Sequence, residues 1–233
     1  MSAGWERFRC LNTLTLKCIA MAAMVLDHVG AAFLPDATWL RCIGRLAFPI
    51  FAYFVAEGFA HTRNFRKYLL RMVLFALLSE LPFDLLWSGT LWDPTQQNVL
   101  WTFVLALLCL WGIQWTAAKH PEKESVGIIA AIALGYIVGT LLQVDYRGYG
   151  VVLVLLFWLF RKEDQKELWQ FFAMLLVNCL LIGGIQCFAM LALIPIWLYN
   201  GQAGPQNRAI QYTCYAFYPI HLLLLGWIVP FIS

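Results

Sequence analysis

Charge is what this sequence has least of. Asp, Glu, Lys and Arg make up 12% of 233 residues, while 62% are hydrophobic and mean hydropathy is +0.71. A soluble domain carries roughly a quarter charged residues and about half apolar ones. So few charges cannot solvate a globule of this composition, and lipid is the solvent that fits. The net charge of +3 is too mild to mark a nucleic-acid surface, so no nucleic-acid partner is expected. Metal-ligand spacing is missing too. The seven cysteines, from Cys10 to Cys214, mostly fall inside apolar runs, and no pair stands at a metal-binding interval. They read as small buried apolar residues, and no metal is expected. Internal repeats, low-complexity tracts and linker-length connections are also absent, so residues 1–233 read as one integral membrane domain. No cleavable signal peptide is evident, because the first apolar stretch carries Lys17, Asp27 and His28, which a signal core lacks. The apolar runs do not alternate with polar residues, which argues against strands.

What the sequence does hold is a succession of continuous apolar runs. A spanning helix needs about 20 mostly apolar residues. Candidates lie near 14–34, 44–60, 68–87, 97–115, 125–143, 149–160, 168–183, 185–199 and 210–230. The expected fold is therefore all-α, a polytopic transmembrane helical bundle of about nine spans. Gly183 and Gly184 predict a tight turn between the seventh and eighth runs, and Leu34-Pro35-Asp36 and Asn200-Gly201 supply turn chemistry elsewhere. Lys and Arg placement orients the chain. With the N-terminus in the cytoplasm, Arg7, Arg9, Lys17, Arg63, Arg66, Lys67, Arg71, Lys119, Lys123, Arg161, Lys162, Lys166 and Arg208 fall inside. Only Arg41, Arg45 and Arg147 then fall outside, as does Ser233 at the C-terminus.

Ionisable side chains at membrane depth are costly and usually face a protein interior. Here they are Asp27, His28, Glu57, Glu80, Asp84 and His221, with Arg45 and Asp145 near span ends. Asn98, Asn178 and Gln186 add polar amides. The orientation above gathers Asp27, His28, Arg41, Arg45, Asp84, Asn98, Asp145 and Tyr146 toward the outer half, leaves His221 near mid-depth and gives the inner face a basic rim. Asp27 and His28 are adjacent and project about 100° apart on a helix, so His28 is expected to meet a carboxylate from another span. Glu80 and Asp84 share a face, as do Arg41 and Arg45, and Tyr218 neighbours His221. Each residue also has a structural reading. His28 and His221 can bond helices together, and Glu80 and Asp84 can pair with Arg45 or Arg41 to fix register. Arg63, Arg66 and Lys67 can be a solvated orientation signal, and Asp145 with Tyr146 an interfacial anchor.

Several segments carry a family resemblance. They are KCIAMAAMVLDHVG from Lys17, RCIGRLAFPIFAYFVAEGFAHTRNFRKYLLR from Arg41, SELPFD from Ser79 and NVLWTF from Asn98. VDYRGYGVV from Val144, YNGQAG from Tyr199 and FYPIHL from Phe217 complete the set. In this order, over nearly the whole chain, they resemble the TraX family, named for the F-pilin acetylation protein. GRLAFPIF, EGFAHTRN and FYPIHL together are the specific part. The resemblance implies a polytopic acyltransferase of the bacterial inner membrane, with a founding member associated with N-acetylation of pilin. It is also distantly similar to larger membrane enzymes that O-acetylate surface sugars with a first-span His and cytoplasmic acyl-CoA, and His28 matches that position.

Physical reasoning and resemblance then combine into an expectation. His28 acts as general base on an acceptor amine or hydroxyl that attacks an acetyl-CoA thioester. Asp84 or Asp27 holds the imidazole tautomer. Arg45, Asn98 or Tyr218 donates to the oxyanion, and His221 is a candidate relay. Glu80, Asp145 and Tyr146 join Asn98 and Tyr218 in substrate binding. Arg63, Arg66 and Lys67 bind the donor's phosphates. The partners are the bilayer, acyl-CoA and an exported protein or envelope glycan. A proton-coupled transporter is the alternative, because intramembrane Asp, Glu and His also build proton relays. A non-catalytic assembly factor is the third possibility.

Overall fold

The helices begin where asparagine can cap them. In the computed structural model, which describes residues 8–205 and 208–228, Asn12, Asn64 and Asn98 each accept a backbone N–H of the turn they open. Such caps satisfy donors that a helix start leaves orphaned. They open α1 (Thr13–Ala32), α4 (Phe65–Trp87) and α5 (Val99–Lys119). Between α1 and α4 lie the short α2 (Thr38–Gly44) and α3 (Ala47–His61). After α5 come α6 (Glu124–Leu141), α7 (Arg147–Leu159) and α8 (Lys166–Met174). The chain of α8 continues as a π-helical stretch, Leu175–Ile182, turns at Gly183 and Gly184, and returns as a 3-10 stretch, Gly184–Ala192, into α9 (Leu193–Trp197). Finally α10 spans Arg208–Ile228. Among the described residues there are no strands, only two isolated bridges, Leu11 with Tyr199 and Gln97 with Val144. Arg7 and Ser233 lie outside the described residues.

The all-α bundle is built for lipid. Thr13–Ala32, Thr38–His61, Val99–Lys119 and Pro121–Leu141 are long and apolar enough to cross a membrane. The outward faces of α4 and α6 are apolar: Leu70, Leu74, Leu77, Leu78 and Leu81 on α4 and Ile129, Leu134, Ile137 and Leu141 on α6 are all exposed. In water that belt would be an aggregation surface; in a bilayer it is the solvated face. The interior is closed by Leu16, Ile50, Leu107, Leu110, Leu153 and Phe157, each almost fully buried. Lipid gives helices little hydrophobic reason to associate, so close van der Waals approach must hold them. At the α6–α7 contact, a Cβ on Gly139 would come within 3.0 Å of the Gly148 Cα, and one on Gly148 would collide with the Tyr136 backbone.

The second span differs from the expected 44–60. It is preceded by the separate α2, laid against α1, and α3 begins at Ala47. The short sixth apolar run forms a helix, α7. Two ends of the bundle result. At one, Leu11 donates its N–H to Leu198 O (2.9 Å), Thr13 to Gln202 O (2.8 Å), and Arg9 pairs with Glu167. At the other, α2, the 88–98 connection and the 142–146 turn meet, with Asp145 N–H donating to Gln97 O at 2.9 Å.

Candidate active site

The deciding geometry starts with two adjacent residues of α1. Asp27 turns toward α2, where Arg41 Nε donates to it at 3.0 Å and Arg45 Nη2 donates to both carboxylate oxygens. Arg41 and Arg45 sit one turn apart, so both reach one carboxylate. The approach needs Gly44, because a Cβ there would collide with Asp27. Arg45 Nη1 donates onward to Gln186 Oε1 (3.3 Å), and Gln186 Nε2 donates to Asn178 Oδ1 (3.0 Å). A buried ionic cluster is thus hydrogen-bonded from α1 through α2 to the π/3-10 hairpin, which is the condition for tolerating charge in an apolar interior.

His28 turns the other way. Its Nδ1 lies 2.9 Å from Nε2 of His221 on α10, 193 positions away. The rings are nearly parallel, 6° apart with centroids 5.1 Å apart. His221 Nδ1 donates to the Phe217 carbonyl at 2.9 Å, and the Phe217 ring stacks on the imidazole at 4.6 Å. Trp87 meets His28 edge-on at 5.6 Å.

A cavity of about 340 Å³ opens beside this pair. Asp27, His28, Arg45, Asp145, Tyr146 and Tyr218 line it, as do Arg41, Phe48 and Trp87. Tyr146 and Arg147 hold left-handed backbone (φ 59° and 49°) in the turn before α7, an unusual conformation for side chains of that size. The Asp145 carboxylate accepts the Tyr146 N–H at 2.9 Å, and the Tyr146 ring stacks on Phe48 at 3.8 Å. Strain of this kind in a cavity wall is a mark of a functional site.

Other expectations are corrected. Among the described residues no carboxylate bonds His28; another imidazole does. His221, expected as a separate mid-depth relay, is its direct partner. Neither Glu80 nor Asp84 pairs with Arg41 or Arg45. Asp27 is the carboxylate that both arginines bond, and the α4 carboxylates turn to amide donors. Glu80 accepts from Asn98 Nδ2 (2.7 Å) and from the Asn98 N–H (3.2 Å). Asp84 accepts the Asp93 N–H at 2.9 Å. In that connection, Ser88 and Thr95 donate to the Asp93 carboxylate and hold its pKa below the usual range. Glu80, Asp84, Asn98 and His221 do not line the cavity. Arg63, Arg66 and Lys67 are exposed and line neither this cavity nor the one at the Arg9 end.

With the geometry in place, relatives can be compared. A family model described as TraX protein matches residues 12–229. The chain belongs to the TraX family. It is 33% identical to a probable fimbrial assembly protein, FimC of serogroup H1, from Dichelobacter nodosus, over 90% of this chain and 92% of that protein. It is 24% identical to Protein TraX of Escherichia coli over 91% and 84% of the two chains. Against Protein TraX of Escherichia coli strain K12 it is 27% identical over 71% and 61%. No solved structure matches the chain. The TraX match runs from the start of α1 into the end of α10, so it takes in both members of the His28–His221 pair. Sequence reasoning missed the Arg45–Gln186–Asn178 relay in this TraX-family chain. The signal was present: two amides in apolar runs flank the Gly183-Gly184 turn, which folds them face to face.

Proposed function

We propose that this protein is a membrane acyltransferase that moves an acetyl group from acetyl-CoA to an amine or hydroxyl presented at the His28 end of the bundle. The direction of the hydrogen bonds through the two imidazoles carries the reading. The Phe217 carbonyl can only accept, so His221 Nδ1 bears the proton. Nε2 of a neutral His221 then has a lone pair and accepts from His28 Nδ1–H. That leaves His28 Nε2 bare, on a ring that lines the cavity. His28 is the general base, and His221 fixes its tautomer as a carboxylate does in a serine-hydrolase triad.

The chemistry follows from these roles. His28 Nε2 takes the acceptor's proton as its nitrogen or oxygen attacks the thioester carbonyl, and a C–N or C–O bond forms. Tyr218, which lines the cavity, is placed to donate a hydrogen bond from its hydroxyl to the oxyanion. Arg45, held by Asp27 and Gln186, adds fixed positive potential. As the C–S bond breaks, the imidazolium returns its proton to the departing thiolate. A positioned base contributes about 10²–10⁴-fold and an oxyanion donor about 10²–10³-fold.

The excess of Lys and Arg at the Arg9 end supports a cytoplasmic position for that end in a bacterial inner membrane, where acetyl-CoA is available. The acceptor then arrives from outside. A relative named for fimbrial assembly supports an exported pilin-like protein as acceptor, and an envelope glycan offers the same hydroxyl chemistry. Mass spectrometry of exported proteins and envelope glycans tests the reading, in cells with the gene, without it, and with His28→Ala. An acetyl group is expected to be lost in the last two. Full acetylation by the His28→Ala protein would move the base elsewhere. Proton uptake in proteoliposomes, with no acetyl group lost from any acceptor, would replace acyl transfer by proton-coupled transport.

A further inference from the structure

The second cavity lies at the Arg9 end, has a volume of about 520 Å³ and is lined by four cations against two carboxylates. We propose that it binds the phosphates of a nucleotide-type ligand through Arg161, Lys162 and Lys166, with Trp197 and Tyr199 supplying ring faces for the base. That the ligand is the acyl donor rests on the acyltransferase reading; that the site takes organic phosphate does not.

The two lysine charges there are left available, while Arg161 shares the cavity with the Glu57 carboxylate. Glu167 is taken by Arg9 at 3.1 Å, and Glu57 lies 3.8 Å from His61. Lys162 and Lys166 form no ion pair among the described residues. Arg161 is pre-positioned: its guanidinium lies 3.9 Å over the Trp158 ring, and Nη1 donates to the Trp158 carbonyl. A planar fork held in this way keeps donors free for bidentate phosphate binding. The aromatic walls are also held. Trp197 Nε1 donates to Gln170 Oε1 at 3.0 Å, and the Tyr199 hydroxyl bonds Thr13 at 2.9 Å. Fixed rings beside cations are how proteins stack a base while holding its phosphate.

Place also favours this cavity over the exposed Arg63, Arg66 and Lys67. Helix α3 lines both cavities, the His28 cavity as far as Phe51 and the Arg161 cavity from Tyr53. Two residues of helix are roughly 3 Å of axial rise. The same two residues turn about 200° around the axis, so the cavities meet opposite faces of α3, and a donor anchored by its phosphates at Arg161 reaches His28 around the helix.

An anionic lipid headgroup presents the same phosphate chemistry, so the test separates the two sources. Full-length protein in phosphatidylcholine nanodiscs is titrated calorimetrically with desulfo-CoA and with adenosine 3′,5′-bisphosphate. Both are expected to bind, and Lys162→Glu with Lys166→Glu to weaken binding at least about 10-fold. Lys162→Gln with Lys166→Gln, checked for an unchanged melting temperature, repeats the test without charge reversal. Arg66→Glu with Lys67→Glu is expected to bind as wild type. Absence of binding, or binding indifferent to both double variants, overturns the site. So does an effect confined to retention of phosphatidylglycerol in mixed nanodiscs, which would make it a lipid site. His28→Ala is expected to bind desulfo-CoA normally while losing transfer. If wild type binds but transfers nothing, the acyltransferase reading falls and the phosphate site stands.

Discussion

The two ends of the bundle handle charge in opposite ways. At the His28 end the ionisable side chains bond one another or buried amides: Asp27 with two arginines, Arg45 with Gln186, Glu80 with Asn98, His28 with His221. At the Arg161 end the lysines face an open cavity without carboxylate partners of their own. A buried site must satisfy its charges internally, or the desolvation cost would unfold it. An end near the membrane surface can leave cations to water and to an incoming ligand at little cost. The His28 end is thus suited to orientation and bond-making, and the Arg161 end to capture.

Substitutions can break or sharpen that contrast. The largest effect is expected from His28→Ala, with transfer down about 10²–10⁴-fold and membrane insertion unchanged, measured as acetylated product per amount of purified protein. Asp27→Asn leaves two guanidiniums without their counter-charge and is expected to cost about 3–5 kcal/mol, read as a lowered melting temperature in detergent. His221→Ala lets the His28 ring turn and is expected to slow transfer on the order of 10²-fold. His221→Gln should recover part of that loss, since its amide oxygen can accept from His28 Nδ1. Recovery distinguishes a positioning role from simple packing. Gly44→Ala pushes α2 off α1 at a cost of about 1–3 kcal/mol, seen as a smaller fall in melting temperature. The least effect belongs to Arg66→Glu with Lys67→Glu, for which donor affinity is expected to stay at wild type.

Much of this was legible because membrane chemistry writes in long blocks. Continuous apolar runs and the Gly183-Gly184 turn fix helices with local information alone. Adjacent charges were legible too: Asp27 and His28 do diverge, and Arg41 and Arg45 do share a face. Pairings between distant helices were not. Periodicity gives the direction of a side chain around its own axis, but not which helix lies there, and α10 brought an imidazole where a carboxylate was expected. The short α2 was hidden for a related reason. Its residues merge in hydropathy with α3, and only the close contact at Gly44 reveals a separate element. The Arg161 cavity escaped because its walls come from α3, α5, α8, α9 and the connections near them, scattered from Arg9 to Gly201.

The imidazole pair joins helices from the beginning and the end of the described fold. A ribosome that has delivered only the first part of the chain to the membrane has made no reactive histidine couple. A polypeptide cut short before α10 folds, at best, with His28 alone. Under the proposed reading, transfer therefore waits until α10 has entered the bilayer, and split halves expressed separately would have to find each other there before either could turn over.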